Sequence, residues 1–182
     1  MSSKTPQVDQ LRTVLQSKGG HHVLGAAKSA VSSLKSGVPQ ASTGDDEEQA
    51  RRHALATFDA AFLMLSSDGV LTDLEVDELA DLLTELTEGN STDEDLGYLI
   101  ETFAEALRQE GLDRRLSYLA EALDTQDARR VAFVAACGIA YLDGNLAIEE
   151  EELFGRLAEV LGILPAEANT LLEEIETALG VA

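Results

Sequence analysis

Apolar residues recur every three to four positions along most of the chain, the spacing of helices with one buried face. From residue 47 onward the stripes are long and the breaks between them are sharp. Ala54, Leu55, Phe58, Phe62 and Leu65 mark one helix that stops at Asp68-Gly69, where glycine takes the left-handed closing conformation. Thr72-Asp-Leu-Glu75 reads as a capping box opening the next, with Leu79, Leu82, Leu83 and Leu86 on its buried side. Gly89-Asn90 stops that helix, and Ser91 or Thr92 starts another carrying Leu96, Leu99, Ile100, Phe103 and Leu107. Gly111 ends it, and Asp113 caps a shorter helix with Leu116, Leu119 and Leu123. An alanine-rich helix runs from Thr125 to Leu142 and ends at Asp143-Gly144. Glu149 to Leu161 follows, closed by Gly162, and Pro165 opens a last helix to Leu179.

The first 46 residues are patterned differently. Two short serine-rich stretches, about 7–17 (Val8, Leu11, Val14, Leu15) and about 22–35 (Val23, Ala27, Val31, Leu34), are separated by Gly19-Gly20. Helices of that length are marginal alone, so residues 1–46 are expected to form an arm and linker, the linker being 36–46. The arm is either a mobile tail or weakly docked helix, or a basic amphipathic segment gripping a partner, a membrane surface or the chain's own body. The expected architecture is all-α: an orthogonal bundle of about seven helices over 47–182, preceded by the short helical arm.

One constant shift along the chain superimposes Phe58 on Phe133, Ala60-Ala61 on Ala135-Ala136, Asp68-Gly69 on Asp143-Gly144 and Glu75 on Glu150. Leu71 and Leu146, Leu79 and Phe154, Leu82 and Leu157, and Leu86 and Leu161 keep the same register. The pattern predicts a duplicated helix-turn-helix. The unit Asp-Gly-x-Leu-x-x-x-Glu also matches the second half of an EF-hand calcium loop, but the first half is wrong. The first ligand positions hold Met64 and Ile139 and the second hold Ser66 and Tyr141, so no oxygen cage of that kind can form.

Charge sharpens the division. Residues 1–44 hold five basic side chains against one acid, whereas residues 45–182 hold eight arginines against 33 acids, in a chain of net charge −21. Every lysine precedes residue 36. So acidic a body repels phosphate backbones, which argues against nucleic acid and favours cations or basic proteins as partners. The longest uncharged apolar stretch, Val131 to Leu142, is too short for the ~20 residues that span a bilayer. No secretory leader is evident at Met1, and Cys137 is the only cysteine, so a cytoplasmic location is expected.

Ser67-Asp68-Gly69-Val70-Leu71-Thr72-Asp73-Leu74-Glu75 and Leu142-Asp143-Gly144-Asn145-Leu146-Ala147-Ile148-Glu149-Glu150 resemble the paired signatures of the tellurite-resistance TerB-like domain family. The resemblance covers roughly residues 50–180 and leaves out the arm. It departs from the family pattern at Ser67 and Leu142, where alanine is common. It implies an all-α bundle, divalent-metal binding, and a place in stress-response protein complexes that include membrane partners, with no defined reaction.

The residues themselves leave two roles open for these acids. Asp-Gly is good turn chemistry, and Glu75 can serve the Thr72 cap. Glu150 cannot serve that way, because Ala147 stands where Thr72 does. A pseudo-twofold packing would bring Asp68, Glu75, Asp143 and Glu150 together as a site for calcium, magnesium or manganese, which prefer oxygen ligands. Zinc fits poorly: the histidines are His21, His22 and His53, and no cysteine lies nearby. The acidic run Glu149 to Glu152 is expected to be a solvated helix start. No phosphate loop, nucleophile elbow or Cys/His pairing is present, and the scarcity of aromatic residues argues against a sugar-cleaving carboxylate pair. The expectation is a non-enzymatic acidic interaction module with a protein partner. The alternatives are a metal-ion buffer or sensor, and an assembly component tethered by the basic arm.

Overall fold

Helix signals at the sequence level translate directly into backbone in the computed structural model, which describes residues 6–36, 44–67, 69, 71–142 and 148–181. Among these residues there are nine α-helices and no strand: α1 (Pro6–Ser17), α2 (Ala26–Ser36), α3 (Asp45–Leu65), α4 (Asp73–Leu86), α5 (Asp93–Glu110), α6 (Leu112–Ala122), α7 (Gln126–Ala140), α8 (Ile148–Val160) and α9 (Pro165–Leu179). Helix α3 starts two residues before the expected boundary, inside the predicted linker. Asp45, Asp46, Glu47 and Glu48 all fall in its first turn, where the helix dipole stabilises negative charge. Helix α2 starts later than expected, because Gly20–His22 form a 3-10 turn and Gly25 adopts φ 88° just before Ala26.

Helices α3 and α7 form the centre and make the most extensive helix–helix contact in the chain. Both are apolar almost all round from Ala54 and Val131 onward, as a helix enclosed by neighbours must be. Ala56, Ala60 and Ala61 on one, and Ala132, Ala135 and Ala136 on the other, keep both surfaces low, and Phe58, Phe62 and Phe133 fill the space between layers. Phe103 of α5 lies 5.9 and 6.0 Å from the rings of Phe58 and Phe62. Cys137 is wholly buried, and burial pushes its thiol well above the ordinary range, so it behaves as a small core hydrophobe.

The arm is part of this core. Val8, Leu11, Val14 and Leu15 of α1, Val23 and Leu24 of the connection, and Val31 of α2 are buried, all but Val8 within the same apolar cluster as α3 and α7. Helix α1 packs on α9, α7 and α4, and α2 packs on α3, α4 and α5. The fit at α7 is close: a Cβ on Gly138 would lie 2.2 Å from Leu11 Cδ1. At Gly20 a Cβ would meet the Leu15 carbonyl oxygen at 2.6 Å, so glycine is what lets the chain turn so tightly under α1.

Ion pairs complete the seat. Arg12 Nη1 is 2.9 Å from Glu85 Oε2, Lys18 Nζ is 2.5 Å from Glu174, and Lys35 Nζ is 2.9 Å from Asp95 and 3.3 Å from Glu94. Of the surfaces considered for the basic arm, the one it meets in the structure is the chain's own acidic body.

Local structure recurs at the spacing read from the sequence. Helix α3 ends at Leu65 and α7 at Ala140, and α4 begins at Asp73 and α8 at Ile148, each pair related by the shift that aligns Phe58 with Phe133. The same turn bond closes both central helices: Ser67 N–H donates to the Met64 carbonyl at 3.2 Å, and Leu142 N–H to the Ile139 carbonyl at 3.1 Å. Helix α4 touches α7, and α8 touches α3.

Candidate functional site

The two helix–turn–helix junctions carry the acids that the sequence singles out, so they are the first place to look for chemistry. At the first, Gly69 adopts φ 88° and its N–H donates to the Ser66 carbonyl at 3.0 Å. Thr72 then caps α4 as the pattern predicts. Thr72 N–H donates to Glu75 Oε2 at 2.6 Å, and Glu75 N–H donates to Thr72 Oγ1 at 3.3 Å. One oxygen of Glu75 therefore serves the fold. Its counterpart Glu150 is buried in the first turn of α8, 8% exposed. Asp68 and Asp143 lie outside the described residues. Among the described residues no group of three or more His, Cys, Asp or Glu side chains is placed to hold a metal ion.

Beside the first junction is a cleft of about 340 Å³ bordered by Phe62, Ser66, Gly69, Leu71, Leu107 and Arg108. A larger one, about 790 Å³, opens between α8 and α9 and reaches Tyr141 at the end of α7. Phe154, Ala158, Ile163, Leu164 and Leu172 make it apolar, and Glu151 and Glu159 stand exposed at its edge. Leu164, in the α8–α9 connection, is 69% exposed, the most exposed of the large apolar side chains among the described residues. Tyr141 donates its hydroxyl to Glu176 Oε1 at 2.9 Å. Its own ionisation is pushed up, first by burial and then by that carboxylate, so it remains a neutral donor.

Three polar side chains on the central helices α3 and α7 are structural. Asp59 of α3 is fully buried and bonds to Arg115 of α6, whose guanidinium also reaches Glu110 at 3.2 Å and lies 4.6 Å over the Tyr118 ring. His53 Nε2 sits 2.7 Å from Asp124, which also accepts from Arg52 at 2.7 Å and Gln49 at 3.0 Å. Burial lowers the His53 pKa, and the hydrogen bond from His53 is the chief cause holding the Asp124 carboxyl below its usual range. A neutral His53 donating Nε2–H to an ionised Asp124 accounts for both shifts. The third group, Arg129, sits in the first turn of α7, an end where the dipole disfavours a cation. Its guanidinium donates to the carbonyls of Leu123 at 2.7 Å, Leu161 at 3.3 Å and Ala120 at 3.4 Å. It thereby gathers the unsatisfied C-terminal carbonyls of α6 and α8 onto α7.

Burial raises the Asp59 carboxyl to about 6 despite the attraction of Arg115. A folded pKa above the unfolded value means that this group stabilises the fold when protonated and loses that contribution as pH climbs through about 6. Asp59→Asn mimics the protonated form at every pH. The stability of the variant minus that of the wild type is therefore expected to rise between pH 5 and pH 7.5, other titrations cancelling in the difference. Paired urea melts across that range measure it, and a flat difference would show that Asp59 titrates alike in both states.

No helix among the described residues is long and apolar enough to cross a membrane. Neither the curated proteins nor the solved structures contain a match to the chain. A family model does match: that of tellurite resistance protein TerB, over residues 54–173, about two thirds of the chain. That span takes in most of α3, all of α4 to α8 and the first part of α9, with both junctions inside it. The chain belongs to the TerB family.

Proposed function

We propose that this protein is a non-enzymatic, acidic interaction module of the TerB kind, acting in the cytoplasm within a stress-response or membrane-associated protein complex. The observation that carries the reading is the open apolar cleft between α8 and α9, with Leu164 standing in solvent and acids at the edge. Exposed apolar surface rimmed by charge is what a docking face offers. In this reading the body is a duplicated helix-turn-helix folded as an orthogonal bundle, supported by the helix ends, turn bonds and buried positions that recur at one constant spacing. The basic arm is a structural cover, because its buried apolar side chains and Arg12, Lys18 and Lys35 are engaged by the body. Affinity capture from a native extract with the full-length chain tests the module. A partner retained in near-stoichiometric amount is expected, and recovery of nothing beyond the tag control overturns the reading.

A second reading, that Asp68, Glu75, Asp143 and Glu150 hold a calcium, magnesium or manganese ion, draws on one feature of the structure. Glu150 is buried in the first turn of α8, at the position that matches Glu75 one repeat earlier. Carboxylate oxygens are the donors such hard ions prefer, and the cap occupies Oε2 of Glu75. Calorimetric titration of the wild type with each ion is expected to show binding that the double substitution Asp68→Asn, Asp143→Asn abolishes. Absence of any binding heat up to millimolar ion removes this reading and leaves the first intact.

A further inference from the structure

We infer that the cleft between α8 and α9 receives a basic amphipathic helix from a partner protein, with Gly155 as the point of closest approach. This rests on the interaction-module reading and names the class of partner.

The first argument is the glycine. Gly155 lies in the middle of α8, faces the cleft, and is exposed. A glycine inside a helix is less stabilising than alanine, so its presence needs a reason. Within the chain there is none of the usual kind: a Cβ built there meets nothing within 4 Å. Of the α-helical glycines, Gly138 is explained by a neighbour too close for a methyl group, whereas Gly97 and Gly155 are not, and of these two it is Gly155 that lines the cleft. Bare backbone lining an apolar cleft is what a second helix needs in order to pack close against α8.

The second argument is charge. The cleft's lining contains Glu151 and Glu159 and no basic side chain among the described residues. Glu151, Gly155 and Glu159 are spaced four apart, so they share one face of α8, with an acid one turn on either side of the glycine. A helix laid across that face with apolar anchors inward and lysine or arginine at its flanks would satisfy both features.

The molecule already shows such a match once. Helix α1 buries Val8, Leu11 and Leu15 while Arg12 reaches Glu85 and Lys18, just beyond its end, reaches Glu174. Glu174 lies on α9, whose other side lines the cleft through Ala168 and Leu172, so α9 would carry an amphipathic helix on each flank.

The test uses the full-length chain and a synthetic peptide of roughly 18 residues with leucine at i, i+3, i+4 and i+7 and lysine elsewhere, labelled for fluorescence anisotropy. A control peptide has the same composition with its leucines spread around the helix. The stripe peptide is expected to bind, and the spread peptide much more weakly. Gly155→Leu, which fills the cleft, is expected to weaken binding by about tenfold or more, equivalent to about 1.4 kcal/mol. Gly155→Ala is expected to raise the melting temperature while weakening binding, a combination that a damaged fold cannot produce. Gly97→Ala on α5, also mid-helix with nothing within 4 Å of its Cβ, is expected to raise the melting temperature and leave binding unchanged. Equal binding of both peptides, or of wild type and Gly155→Leu, overturns the inference by reducing the effect to bulk charge. A wild-type dimer in sedimentation that Gly155→Leu dissociates also overturns it, by showing a second copy in the cleft. If the capture experiment still returns a partner with Gly155→Leu, the module stands and only the cleft assignment falls.

Discussion

Deleting residues 1–44 is expected to abolish the cooperative unfolding transition of the remaining body. The deletion removes Val8, Leu11, Val14, Leu15, Val23, Leu24 and Val31, all buried, from helices and a connection that pack on α3, α4, α7 and α9. At about 1.5–3 kcal/mol for each fully buried apolar side chain, the loss before entropy is counted is as large as the whole ~5–15 kcal/mol that holds a typical domain together. It also uncovers apolar surface on the central helices and leaves Glu85, now 2% exposed, without the Arg12 guanidinium. Calorimetry should show a broad or absent transition, and a dye that binds exposed apolar surface should light up at neutral pH. A truncated body that melts cooperatively near the temperature of the full chain would show that the arm is an accessory. The same physics limits what truncation can say about function, since lost partner capture by a loosened body would not identify the arm as the contact.

The second large effect is expected at Arg129. Replacing it with alanine leaves the carbonyls of Ala120, Leu123 and Leu161 without their shared donor, at the point where the ends of α6 and α8 converge on α7. Hydrogen bonds from a charged donor contribute about 1.5–3 kcal/mol apiece and are not additive, so a loss of about 3 kcal/mol is expected. Arg129→Lys should recover only part of it, because an ammonium is a point donor without the planar fork that reaches three acceptors. Chemical denaturation of the two variants and the wild type measures this. Equal midpoints for alanine and wild type would mean that water satisfies those carbonyls as well as the guanidinium does.

The helices of the body are readable because their boundaries are local chemistry. Thr72 and Thr92 cap α4 and α5 through boxes with Glu75 and Asp95, Thr125 caps α7, and Gly111, Gly162 and Pro165 mark stops and starts within a residue or two of where the pattern puts them. The docking of the arm is not readable, since its stripes are short and serine-rich and their stability comes from a surface far away in sequence. Nor are the roles of Asp59, His53 and Arg129. A stripe analysis gives every polar residue to solvent, which fails for a helix enclosed on all sides. A signal exists for two of them. Asp59 is the single charge in the run from Ala54 to Leu65, and Arg129 places a cation where a helix start disfavours one. The junction acids show the opposite limit: the sequence gives Glu75 its cap at Thr72, but nothing in the spacing says that Glu150 is buried.

The pairing of α3 with α7 bears on how the chain comes off the ribosome. The partner surface for Phe58, Ala60 and Ala61 begins to be synthesised only with the residues that follow Gln126, and the matching positions are Phe133, Ala135 and Ala136. At the ~5–20 residues per second of protein synthesis, α3 waits roughly 4 to 15 s for its mate. During that interval α2 is the neighbour already made, and α4, α5 and α6 follow before α7. A nascent α3 shielded by α2, and surrounded by a strongly anionic chain that repels its own kind, has a route through synthesis that a bare apolar hairpin would lack.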